Sequence, residues 1–199
     1  KQVLDALTQE QKDAALWAQS TKEADAQLRT VCGDVWRASD RTQRHAIYDY
    51  TAGSGKFNRP LSGFRGGWSP SCNMGVGKVD LNYEGALSEI QSMTEIISKS
   101  TYDIDVWLQR GCGTEAIESF LGLPNGQLGR MTHDQLQQFI GKENRIWAFT
   151  STGVAKGKGF SGSVIMNIYA PKGTQMMYAE PFSHYGNGGG KGWDGLASQ

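Results

Sequence analysis

Asp105-Val106-Trp107-Leu108-Gln109-Arg110-Gly111 decides the fold, because it is an apolar run that stops at one cation followed by one glycine. Val106 and Leu108 alternate with Trp107 and Gln109, which is the period of a strand, and valine and tryptophan favour the pleated backbone. The pattern predicts a strand whose last residue is Arg110, carried at the rim rather than in the core. Gly111 has no Cβ, so a flat ligand group could approach the backbone there and accept a hydrogen bond from its N–H. Taken alone, an arginine at a strand end is as readily a solvated rim charge. The stretches on either side weigh against that plainer reading.

Upstream the pattern is helical. Thr8-Gln9-Glu10-Gln11 has the form of a capping box ahead of Ala14, Ala15, Leu16 and Trp17, and a second helical piece is expected over 23–28. Asp40-Arg41-Thr42-Gln43 opens a third helix with Ala46, Ile47 and Tyr50 on its apolar face. Residues 53–80, rich in Gly, Pro, Ser and Asn, read as one long loop, and Ala86, Ile90, Met93 and Ile97 place a helix over 83–99.

Downstream, Ile117, Phe120 and Leu121 mark a short helix before the turn Pro124-Asn125-Gly126. Thr132 caps another, with Leu136, Phe139 and Ile140 expected to face inward. The period then changes to that of strands, over 146–149, 163–170 and 174–179, with a turn at Pro171-Lys172-Gly173. Helices first and strands afterwards predict an α+β domain with a largely antiparallel sheet.

The 20 basic and 20 acidic residues cancel, which argues against a dedicated nucleic-acid binder or a polybasic membrane module. No apolar run approaches the length that spans a bilayer. Cys32, Cys72 and Cys112 are three, too few and odd in number for a disulfide framework, so reduced thiols are expected. No Cys or His spacing resembles a metal site, and none is expected. Gly153-Val154-Ala155-Lys156-Gly157-Lys158-Gly159 falls one residue short of a phosphate loop, and no Ser or Thr follows its lysine. His45, His133 and His184 stand apart without a nucleophile at any recognisable spacing.

Ile47-Tyr48-Asp49-Tyr50-Thr51 leads through a glycine loop to Asn58-Arg59-Pro60-Leu61. Arg110-Gly111 follows, then Phe149-Thr150-Ser151-Thr152, then Phe160. In that order the series resembles the mono-ADP-ribosyltransferase exoenzymes of the arginine-serine-glutamate class, such as the enzymatic components of binary toxins. It is most similar to versions carried on phage minor head proteins. The resemblance covers residues 39–199, with 1–38 left as an N-terminal helical segment or linker. It implies an α+β transferase fold in which N-terminal helices precede a mostly antiparallel two-sheet core around an NAD cleft.

The resemblance implies that Arg110 binds the NAD phosphates, a task suited to a planar, permanently charged fork of donors. It implies that the Gly111 backbone holds the nicotinamide amide and that Phe160 stacks on the nicotinamide ring. Ser151 and Thr152 match the first two residues of the family's Ser-Thr-Ser strand, and Ser151 would steady the ribose pocket; the third position here is Gly153. Tyr50 and Asn58 match positions lining the adenosine side, and Arg59 is a candidate phosphate contact. Arg110 and Ser151 are thus the catalytic candidates. From the residues alone, Thr150 to Thr152 could be ordinary β-formers, Tyr50 and Phe160 core aromatics, and Arg59 a solvated charge.

Cleaving the bond between nicotinamide and ribose leaves positive charge on the sugar, and a carboxylate must face the anomeric carbon. The family carries that glutamate on a strand after a mobile glycine-rich loop. The run from Ser183 to Gly195 resembles the loop, while Glu180 precedes it and Asp194 lies within it. The motif glutamate is therefore expected beyond Gln199, with residues 1–199 impaired in catalysis without that segment or a neighbouring domain. The reaction implied is transfer of ADP-ribose from NAD to a protein acceptor, without metal, membrane or nucleic acid, in a secreted or virion-associated protein delivered into a host cell. Two rivals remain: an inactive phage head component of the same fold, and an NAD glycohydrolase that passes ADP-ribose to water.

Overall fold

Thr8, Asp40 and Thr132 each open a helix through a reciprocal capping box, in which the cap side chain accepts from the third helical N–H and a glutamine returns the bond. The computed structural model describes residues 7–62 and 87–185. Helices α1 (Gln9–Ala14), α2 (Thr21–Ala38), α3 (Arg41–Ala52), α4 (Gly55–Ser62) and α5 (Leu87–Ser98) precede strand β1 (Val106–Cys112). Then come α6 (Thr114–Leu121), a 3-10 turn (Leu128–Arg130), α7 (His133–Gln137), β2 (Val164–Ala170) and a second 3-10 turn (Glu180–Phe182). Helices followed by an antiparallel sheet are the α+β arrangement the pattern predicts.

The core is built where the helices meet β1. Ala24, Leu28, Cys32 and Trp36 line one face of α2, spaced by four, and bury against Ala46 and Ile47 of α3, Phe57 of α4, Met93 and Ile96 of α5 and Val106. Trp36 stacks on Phe182 with ring centroids 4.4 Å apart. Helix α2 runs well past the predicted 23–28 because that spacing continues to Trp36.

β1 pairs antiparallel with β2, with Trp107 opposite Tyr169, Arg110 opposite Met166 and Cys112 opposite Val164. The strand continues two residues past Arg110. Leu16 joins the other edge of β1 as a parallel bridge, through Leu16 N–H to Asp105 O and Trp107 N–H to Leu16 O, both 2.8 Å. Cys32 and Cys112 are buried free thiols, and loss of hydration pushes the Cys32 thiol up to about 12; Cys72 lies outside the described residues.

Several expectations need correction. The predicted loop begins with α4, whose Phe57, Pro60 and Leu61 fall at helical spacing and bury; the rest of that loop, from residue 63, lies outside the described residues. So do residues 83–86 of the predicted α5 and the run from 186 that holds Asp194. Ile140 faces solvent at 65% exposure, because α7 ends at Gln137 and the inward stripe ends with it. Residues 146–149 and 174–179 form no regular strand among the described residues, and their backbone groups go elsewhere. Met176 N–H bonds the Ser100 carbonyl at 3.0 Å, Tyr178 N–H bonds the Tyr102 hydroxyl at 3.0 Å, and Gln175 makes only an isolated bridge to Thr101. Among the described residues these two stretches are held by such contacts and not by a ladder.

Glu118 is a buried carboxylate with a structural task. It accepts from Gly126 N–H at 2.9 Å and Leu128 N–H at 2.7 Å, closing the turn after α6. Glu118→Ala orphans both donors and is expected to lower stability by about 1–3 kcal/mol, read from a denaturant unfolding curve. An unchanged midpoint would show that water replaces the carboxylate there.

Candidate functional site

Side chains alternate along β1, so Leu108 and Arg110 turn toward the same side as the buried Val106, and Trp107 and Gln109 turn away. On that side lies a cleft of about 1180 Å³, walled by α3, β1, the 148–161 segment and residues 175–185. Such a volume is ample for a dinucleotide, since ligand clefts commonly run to about 1,000 Å³. Tyr50, Asn58, Arg110 and Gly111 line it, and so do Ser151, Thr152 and Phe160. Arg59 does not. It follows Asn58 by one residue, roughly 100° around α4, and its Nε is buried.

Arg110 Nη1 donates to the Ser151 carbonyl at 2.7 Å. Its Nε is buried without a hydrogen-bond partner among the described residues. A buried guanidinium donor left unmatched at a cleft wall is costly unless an anionic oxygen meets it there. That is the observation by which these residues fit a phosphate group.

Ser151 is held from the opposite wall. Its Oγ lies 2.8 Å from Tyr50 Oη, which also donates to the Phe149 carbonyl at 3.1 Å. Burial pushes the Tyr50 phenol above its usual value, so the hydroxyl keeps its proton at neutral pH. Asn58, 5% exposed, takes the backbone of Phe149 at both ends: Phe149 N–H to Oδ1 at 2.9 Å, and Nδ2 to Phe149 O at 3.1 Å. Tyr50 therefore belongs to the core and to the cleft at once, with its ring edge-on to Phe57 and Phe149.

The 153–162 segment lies against β1 at van der Waals distance, and its glycines are what allow it. Gln109 and Gly153 exchange backbone hydrogen bonds of 2.8 and 2.7 Å, and Gly157 N–H reaches Gln109 Oε1 at 2.8 Å. A Cβ on Gly111 would overlap the Phe160 carbonyl, so the room left by this glycine is filled by the chain's own backbone. That anchorage leaves the Phe160 ring 71% exposed at the cleft rim, which excludes the core-anchor reading.

Two rim contacts join the motif series to the run that begins at Ser183. Thr51 Oγ1 donates to the Tyr48 carbonyl at 2.8 Å and accepts from His184 N–H at 2.9 Å, pinning residues 183–185 to the end of α3. The His184 ring packs edge-on between Tyr48 and Tyr185. No spacing announces such a contact across more than a hundred residues. Among the described residues, no group of His, Cys, Asp and Glu could hold a metal ion, and no helix is long and apolar enough to cross a membrane.

The chain is similar in fold to C3stau2 from S. aureus, solved with NAD, at a TM-score of 0.65 and 19% identity over 86% of this chain and 82% of that one. It is also similar to the C3 exoenzyme of Clostridium limosum, with TM-score 0.63, 18% identity and 88% and 82% coverage. Plx2a, an ADP-ribosyltransferase toxin from Paenibacillus larvae, gives TM-score 0.61, 14% identity and 85% and 80% coverage. At these identities the likeness shows the fold, and no curated protein sequence matches the chain. The family model of the ADP-ribosyltransferase exoenzymes matches residues 14–188, nearly the whole of the described structure, and the chain belongs to that family.

Proposed function

We propose that this chain is a mono-ADP-ribosyltransferase of the arginine-serine-glutamate class, which moves ADP-ribose from NAD to a protein side chain and releases nicotinamide. The carrying observation is the Arg110–Ser151 pair: a guanidinium with an unmatched buried donor, bonded to the backbone of the serine across the cleft. In this reading Arg110 takes a phosphate oxygen and Ser151 orders the ribose pocket. Phe160 covers the nicotinamide ring, Gly111 contributes through the close packing that holds Phe160 at the rim, and Thr152 stands on the side of the neighbouring ribose. Tyr50 and Asn58 stand on the side that the class gives to the adenosine, behind the 149–151 segment. Arg59 would reach a phosphate only from outside the lining.

The cation formed as nicotinamide leaves needs a carboxylate beside it, worth several kcal/mol of barrier. Among the described residues Glu180 is the one carboxylate on the cleft wall. It precedes the loop after which the class places its catalytic glutamate, so it does not take that role. Binding of NAD requires none of this, and the fold relative solved with NAD supports that half of the reading.

Calorimetric titration of residues 1–199 with NAD is expected to show one site, weakened by Ser151→Ala. No heat, or heat indifferent to that change, would remove the reading. Incubating active protein with labelled NAD and a cell lysate then separates the chemistries, because transfer labels protein and glycohydrolysis releases only free ADP-ribose. Association with a phage head and delivery into a host cell belong to the same proposal, carried by the motif series alone.

A further inference from the structure

The 148–152 segment raises a physical question, since it lines the cleft, forms no regular secondary structure and has no strand beside it at Phe149. A backbone outside helix and sheet leaves an N–H and a C=O at each residue to be satisfied. At Phe149 both are taken by one side chain, the carboxamide of Asn58, which accepts from N–H at 2.9 Å and donates to C=O at 3.1 Å. This is the pair of bonds that a neighbouring strand would supply. Asn58 Nδ2 also lies 3.4 Å from Tyr50 Oη, and that hydroxyl meets the Phe149 carbonyl and the Ser151 hydroxyl. Asparagine is the residue for the task, because its amide carries donor and acceptor side by side.

We infer that Asn58 and Tyr50 are positioning residues: Asn58 replaces a missing strand at Phe149, and Tyr50 fixes the Ser151 hydroxyl, so both act on the ligand through the 149–151 segment. The Asn58 amide is turned to the chain itself: both of its N–H groups and one acceptor site of its oxygen are taken there, and the residue is 5% exposed. The effect passes on to Arg110, because the carbonyl that orients its guanidinium is that of Ser151, two residues beyond Phe149. Cleft geometry on the β1 side is thereby set from α3 and α4 on the other.

The inference rests on the NAD reading only for its ligand measurement, and the first test needs no ligand. Hydrogen exchange at the Phe149 amide is expected to be slow in the parent protein and in Asn58→Asp, which keeps an acceptor oxygen. In Asn58→Leu, which has none, it is expected to be at least about tenfold faster. Equal exchange in all three would overturn the strand-replacement role.

The second test is NAD calorimetry on Tyr50→Phe, Ser151→Ala and the double variant. Tyr50→Phe keeps the packed ring and should hold the melting temperature within roughly 4 °C of the parent, while affinity falls about tenfold. If Tyr50 acts through Ser151, the double variant binds no more weakly than Ser151→Ala alone. Losses that multiply would show that Tyr50 touches the ligand independently, and would overturn its positioning role. A parent protein that fails to bind NAD would sink the functional proposal, and the exchange measurement would still decide the structural one.

Discussion

Arg110→Ala is expected to weaken NAD binding by roughly a hundredfold, the largest single loss at the site. A hydrogen bond to a charged partner is worth about 1.5–3 kcal/mol and about 1.4 kcal/mol is a factor of ten, so losing a two-oxygen contact reaches that size. The substitution also frees the Ser151 carbonyl from its 2.7 Å partner, so the ribose side of the cleft loosens with the phosphate side. Arg110→Lys is the sharper probe. It keeps the charge, but an ammonium is a compact point charge without the planar fork that meets two phosphate oxygens side by side while a further N–H holds the Ser151 carbonyl. It should recover only a small part of the affinity. Calorimetry of both variants, beside their melting curves, checks the expectation. Full recovery by lysine would reduce the site to a generic positive charge.

The elements that set the site are legible in the sequence to different depths, for local and non-local reasons. β1 can be read because its alternation is written in consecutive residues, and the capping boxes at Thr8, Asp40 and Thr132 because each is closed within four positions. Helix α4 escapes such a reading although Phe57, Pro60 and Leu61 have the right spacing. A single apolar triplet beside glycines is too short a signal, and burial against the core decides it. The 146–149 stretch has the composition of a strand and reads as one. What the sequence cannot show is that its partner at Phe149 is a side chain 91 residues upstream.

The site residues are legible as an ordered series, but their division of labour is not. Arg110, Ser151 and Phe160 line the cleft as the series implies, whereas Arg59, the residue after Asn58, is not among the lining residues. Thr51 belongs to the series and His184 to the run that resembles the loop, but their contact appears only when the chain has folded. The spacing of Gly153, Gly159 and Gly162 is a signal of another kind. Each stands where a Cβ would press on backbone, so repeated glycine at these positions marks a segment lying flat on its neighbour.

That close approach makes Gly111→Ala the most damaging small substitution available. An added methyl group would overlap the Phe160 carbonyl and come to 2.7 Å from its carbon and 2.8 Å from the carbon of Ser161, so backbone atoms have to move. β1 is fixed between β2 and the Gly153 bridge, and Gly157 is tied to Gln109, so the displacement falls on 158–162. Overpacking of this kind costs typically about 1–3 kcal/mol. The same movement carries the Phe160 ring away from the cleft rim, so NAD affinity should fall by more than the Phe160→Ala variant loses on its own. Gly129→Ala, where the new methyl group meets nothing within 4 Å, is the control and should change neither quantity. Thermal melting and calorimetry on the three variants separate the effects. A Gly111→Ala protein that melts and binds like its parent would mean that the 158–162 segment yields without cost, and that Phe160 is not held in place by its closure on β1.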